Sequence, residues 1–147
     1  MIPDRIHQLI STQKGYYHRS PEERHVVRQQ LLLLSISAES EFGEFFLAYC
    51  LTGVLSEQLT ELIDICSPSP QILHSTEFGR EVCGAGNDFI ALSSWEGEGC
   101  ILYSNSSGQV FDVGLSQLDD LNNGGVQSRW NSFFELMEWY LGERLER

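Results

Sequence analysis

The stretch that decides the fold runs from Val82 to Val113. It opens Val82-Cys83-Gly84-Ala85-Gly86-Asn87-Asp88-Phe89-Ile90-Ala91-Leu92 and continues Ser93-Ser94-Trp95-Glu96-Gly97-Glu98-Gly99. Cys100-Ile101-Leu102-Tyr103 follows, then Asn105-Ser106-Ser107-Gly108, then Gln109-Val110-Phe111-Asp112-Val113. Three short apolar, β-branched or aromatic runs separated by Gly, Asn and Ser clusters predict consecutive strands joined by tight turns. The Gly-bearing turn before Gln109 predicts a hairpin between the last two, with Gly108 supplying a positive φ.

Downstream, the polar loop Asn122-Asn123-Gly124-Gly125 leads to an amphipathic helix opening Ser132-Phe133-Phe134-Glu135, a capping box with Ser at N-cap and Glu at N3. Phe133, Phe134, Leu136, Met137, Tyr140, Leu141 and Leu145 share one half of its wheel, with Glu135, Glu138 and Gly142 on the other. The expected fold class is α+β: one domain with a mixed, mostly antiparallel sheet, helices packed against it, and this helix closing the chain. A helical segment 1–36 precedes a core 37–147.

Upstream, Ile2, Ile6, Leu9 and Ile10 form one stripe of a helix opening at Pro3-Asp4, with Gly15 as its stop. Ser20-Pro21-Glu22-Glu23 starts a second helix that buries Val26, Val27, Leu31 and Leu34. Its Arg24, His25 and Arg28 read as a solvated face, since no Gly-rich loop accompanies them. Phe42, Phe45, Phe46, Tyr49 and Cys50 mark a third helix, read as core, with Gly53 as its C′ residue. Leu59–Ile65 reads as strand or helix, and β-branched Thr60, Ile63 and Ile65 favour strand. Ser67-Pro68-Ser69-Pro70 is a loop. In Gln71–Glu81, Ile72 and Leu73 can pack, and Phe78-Gly79 resembles a turn.

Composition narrows function by exclusion. The 147 residues carry 21 acidic and 9 basic side chains, a formal charge of −12. Such a surface repels phosphate backbones and anionic bilayers, which argues against nucleic acid and membranes, and it draws basic partners. Solubility alone is the plainer account of that acidity. Leu31–Leu34 is far too short to span a bilayer, and the N-terminus lacks the apolar core of a signal peptide. Cys50, Cys66, Cys83 and Cys100 lack Cys-x-x-Cys spacing and read as free thiols that behave as small buried hydrophobes, so the expected location is cytoplasmic.

No catalytic, cofactor or metal set emerges. Glu96/Glu98, Asp119/Asp120 and Asn87-Asp88 read as solvated loop acids. His74 with Cys66 or Cys83 has no nucleophile context. His7, His18 and His25 have no metal-ligand spacing, and Gly84-Ala85-Gly86 reads as a strand entry rather than a dinucleotide loop. Trp95 leaves two readings open. On an acidic, Gly-flexible loop it suits contact with a basic partner, or it folds back over the sheet edge.

Three of these motifs together resemble the SUKH superfamily, named after a yeast cell-wall-synthesis regulator: the Gly-Asp loop feeding Phe89–Leu92, the Gly-led strand Gly99–Tyr103, and the terminal helix opening Ser132-Phe133-Phe134-Glu135. With the Phe-rich helix ending at Gly53, the likeness spans roughly residues 40 to 142. The resemblance implies a non-enzymatic α+β domain. Its bacterial members are immunity proteins that neutralise a cognate toxin, often a nuclease, and its fungal members are regulatory modules. The expectation is therefore an immunity protein, monomeric or weakly dimeric, that binds a basic toxin through Asp88, Trp95, Glu96, Glu98 and Asp112. A regulatory or scaffold module is the alternative. An enzyme using Asp88 or Asp112 is the third reading.

Overall fold

The computed structural model describes residues 1–13, 17–54, 56, 58 and 60–142. Gly15, Leu59 and Leu145, expected as a helix stop, a strand start and a core position, lie outside the described residues.

Local sequence signals explain most element starts. The first helix, α1 (Asp4–Ser11), begins after Pro3 and buries Ile6, Leu9 and Ile10. In α2 (Pro21–Leu34) the capping box is complete: Glu23 N–H donates to Ser20 Oγ at 3.2 Å and Ser20 N–H to Glu23 Oε1 at 3.3 Å. It buries Val27, Leu31 and Leu34. Val26, expected inside, is exposed, because the buried stripe is too narrow to include it. Next comes α3 (Glu41–Ala48), capped by Ser40 and burying Phe42, Phe45 and Phe46. This helix stops before Gly53. Tyr49 turns extended to bridge His18, and Cys50 N–H donates to Tyr17 C=O at 2.8 Å.

The segment expected as a strand before the prolines is none. Only Leu62 pairs, in an isolated bridge to Ser93. Asp64 is the reason: its buried carboxylate collects the N–H groups of Leu51, Cys66 and Ser67 at 2.8–3.1 Å, which bends the chain out of a ladder. The same carboxylate takes both Oδ–Nη2 bonds of Arg19, at 2.8 and 2.9 Å, and both side chains are fully buried. Burial alone draws the Arg19 guanidinium toward its neutral form. The Asp64 charge and hydrogen bonds outweigh that, so Arg19 titrates above its ordinary value.

After the proline loop comes α4 (Gln71–Phe78), in a stretch that carries no readable start signal. Phe78-Gly79 is not a turn, since the chain continues helically through a π-helical turn, Gly79–Cys83. The expected strands then appear as β1 (Phe89–Ala91), β2 (Gly99–Ser104) and β3 (Val110–Gly114), a three-stranded antiparallel sheet in sequence order. Register places Phe89 opposite Ser104 and Gly99 opposite Gly114. Gly108 turns the hairpin at φ 78°. A short helix, α5 (Leu118–Asn122), and α6 (Phe133–Gly142) are the last described elements.

Alternation puts Ile90, Leu92, Ile101, Tyr103 and Val110 on one sheet face, packed against α1, α2, α3 and α6. Ala91, Cys100, Leu102, Phe111 and Val113 face a smaller core closed by Leu118 and Leu121. Between the layers, Phe42, Phe46, Tyr103 and Phe133 stack at centroid separations of 4.9–6.0 Å. In α6, Glu135 N–H donates to Ser132 Oγ at 3.2 Å, while the Glu135 carboxylate accepts from Asn131 N–H rather than from the N-cap. Glu41 of α3 takes Phe134 N–H at 2.9 Å. Gly142, expected on the outer half of α6, is buried instead, because Leu9 of α1 packs onto it.

Side chains occupy the sheet rims. Thr76 Oγ1 accepts from Ala91 N–H at 2.9 Å, Arg80 reaches Phe89 C=O at 3.4 Å, and Ile63 N–H donates to Leu92 C=O at 3.0 Å. On the opposite rim, Val110 pairs with Trp130 and Gly114 N–H donates to Gln117 Oε1 at 2.8 Å.

Candidate acidic cleft

Where the loop Ser93–Gly99 leaves the sheet, it opens a cleft of about 430 Å³. Four carboxylates line it: Glu61 from the bridge segment, Glu96 and Glu98 from the loop, and Asp112 from β3. All four belong to exposed residues, and Ser93, Ser94 and Cys100 also line the cleft. One cation stands beside them. Arg129 Nη1 pairs with Asp112 at 2.7 Å while its guanidinium lies 4.5 and 4.7 Å from the Trp130 and Trp139 ring centroids. That arginine is held by two indoles as well as by the acid, and among the described residues no other ion pair involves the cleft.

The carboxylates line the cleft without converging. Among the described residues, no group of three or more His, Cys, Asp or Glu is placed to hold a metal ion. The cleft thiol is unsuited to nucleophilic work. Burial pushes Cys100 up to about 11, partly offset by its hydrogen bonds with Ser93. Burial raises Cys66 and Cys83 as well. Cys66 Sγ sits 3.4 Å from Arg19 Nη1. The Gly84–Gly86 loop is a clamped strand entry, with Asn122 Oδ1 accepting from Gly86 N–H and Asn122 Nδ2 donating to Gly84 C=O, at 2.9 and 2.8 Å. Asp119 and Asp120 fall in the first turn of α5.

The residues singled out from the sequence divide. Glu96, Glu98 and Asp112 share the cleft. Asp88 does not: it lies beyond the far end of β1, roughly 16 Å along the strand from Ser93 at about 3.3 Å per residue. There its carboxylate takes Ser104 Oγ, Ser106 N–H and Ser106 Oγ at 2.6–2.9 Å, bracing the β2–β3 turn. Trp95 folds back. Its Nε1–H donates to Ser75 C=O at 2.8 Å and its indole lies on Gly79, where a Cβ would overlap the ring. Half-buried, it still walls an apolar hollow of about 360 Å³ with His74 and Phe78, and Ser94 and Glu96 line both depressions.

Glu61 and Phe78 went unread as site residues. Glu61 sat inside an expected strand, and Phe78 followed a stretch without periodicity. The chain matches no family model, no curated protein and no solved structure.

Proposed function

We propose that the protein is a non-enzymatic binding domain of SUKH type that holds a basic protein through the acidic cleft, as an immunity protein holds a nuclease-type toxin. One observation carries this reading: Glu61, Glu96, Glu98 and Asp112 line one open cleft, and Arg129, paired with Asp112, stands beside it. Like charges gathered at an open surface repel one another and relax when a partner's Lys or Arg enters. The adjoining hollow at Trp95 and Phe78 offers an apolar anchor beside that charge. The three-motif resemblance from Gly84 to Leu136 supplies the class of partner.

The test is surface plasmon resonance against the product of the adjacent reading frame, where that product ends in a basic domain. The expected result is a long-lived one-to-one complex whose association rate falls as salt rises. Glu61→Lys with Glu96→Lys and Glu98→Lys should lower that rate at least tenfold. Association indifferent to salt and to the triple variant would overturn the electrostatic account, and short-lived binding to several unrelated partners would move the protein to the regulatory-module class.

A further inference from the structure

The face of α2 turned away from the core is built like a second contact surface, of opposite polarity to the cleft. Leu32 and Leu33 are 79% and 64% exposed, and among the described residues only Met1 is a more exposed large apolar residue than Leu32. Arg24, Arg28 and Leu32 stand at i, i+4 and i+8, so they form one ridge. Both arginines are exposed, and among the described residues neither side chain has an ion pair or hydrogen bond. The other described arginines are all engaged: Arg19 with Asp64, Arg80 with backbone carbonyls, Arg129 with Asp112, and Arg5 with a contact of its own. In a chain of net charge −12, two arginines left without a carboxylate stand out.

Beside the ridge, Leu31, Leu32, Ile36, Ala38 and Arg28 line an apolar hollow of about 210 Å³. At roughly 30 Å³ per water, that is space for about seven waters or one branched side chain. A second hollow, with Arg24 on its wall, shares Ala38 with the first, and its one carboxylate, Glu44, is held by the Met1 ammonium at 2.7 Å.

We infer that this groove docks an acidic amphipathic segment of another protein, with a leucine-sized residue in the Leu31–Leu32–Ile36 hollow and carboxylates one helical turn apart on Arg24 and Arg28. The two arginines are about 6 Å apart along the axis at 1.5 Å per residue, which matches an i, i+4 acidic pair on a docked helix. Charge selects the occupant. A second copy of this chain would bring its own −12, and two-fold pairing centred on the ridge would set Arg28 against Arg28. The inference does not rest on the function proposed for the acidic cleft.

The experiment is fluorescence anisotropy with the full chain and a labelled amphipathic helical peptide carrying leucines and i, i+4 glutamates. Its lysine counterpart is the control. Wild-type protein should bind the glutamate peptide saturably in the micromolar range, despite net repulsion. Arg24→Glu with Arg28→Glu should weaken binding at least tenfold, Leu32→Ser should weaken it severalfold, and Leu115→Ser, at an exposed apolar residue outside α2, should leave it unchanged. All four positions are exposed, and circular dichroism verifies folding. Three results would overturn the inference: no saturable binding of the glutamate peptide, binding indifferent to Arg28→Glu and Leu32→Ser, or sedimentation showing a dimer that Leu32→Ser dissociates.

Discussion

Asp64→Ala should be the most damaging single substitution near the bridge segment. It leaves the buried Arg19 guanidinium with only the partly exposed Glu23 carboxylate, at 3.6 Å, as counter-charge, and deprives the N–H groups of Leu51, Cys66 and Ser67 of their acceptor. Removing one partner of a buried ion pair costs about 3–5 kcal/mol, and each orphaned buried donor about 1–3 kcal/mol more, though these overlap in one site. A net loss of about 4 kcal/mol is therefore a lower figure, against a total stability of roughly 5–15 kcal/mol for a domain. At about 2–4 °C per kcal/mol for a chain near this size, thermal unfolding should shift down by roughly 8–16 °C. Arg19→Met should cost less, because the remaining carboxylate keeps three amide donors. Glu61→Ala, three residues away and exposed, should change stability by about 0.5 kcal/mol or less. Urea and thermal melts followed by circular dichroism decide it. If Asp64→Ala melts within about 2 °C of wild type, or Arg19→Met proves the worse of the two, the carboxylate is not the hub described here.

Three further outcomes follow from the packing. Cys100 is protonated in the folded chain up to about pH 11, so the unfolded chain loses that proton first, and stability should fall as pH rises from about 9 to 11, by roughly 2–3 kcal/mol. A Cys100→Ala variant should lack that part of the alkaline decline in pH-dependent denaturant melts, and Cys100 should be the last cysteine modified by a thiol reagent in the native protein. Gly79→Ala should push the Trp95 indole off α4, costing about 1–3 kcal/mol and raising acrylamide quenching of tryptophan fluorescence. Glu41→Ala removes the acceptor of Phe134 N–H at the start of α6, and a loss of about 1 kcal/mol in denaturant melts is expected, comparable to Ser132→Ala.

What could be read from residues alone was whatever local chemistry decides. The Gly-punctuated apolar runs mark three strands in order, and Ser20 and Ser132 announce their helices through hydroxyls that accept amide hydrogens, whereas the Ser40 cap shows only in the structure. Distant partners decided the rest. Tyr49 leaves α3 because His18 and Tyr17 take its segment into a bridge. Leu59–Ile65 looked like a strand by β-propensity, and the buried Asp64–Arg19 pair, 45 residues apart in sequence, overrode it. The same division holds at the cleft. Glu96 and Glu98 are neighbours in sequence and were visible together, whereas Glu61 joins them only because Leu62 docks on Ser93. Asp88, next to the strand, looked like their companion and is instead consumed by the serine hydroxyls of the hairpin turn.

The occupied rims of the sheet restrict how anything can attach to it. With Thr76, Arg80 and Ile63 along β1, and Trp130 and Gln117 on either side of Asp112 along β3, an extended peptide finds no uninterrupted row of backbone groups to zip onto. Strand donation, and the fibril growth that shares its geometry, is thereby discouraged. Recognition is left to side chains, where a single charge reversal can retune the choice of partner without disturbing the ladder beneath.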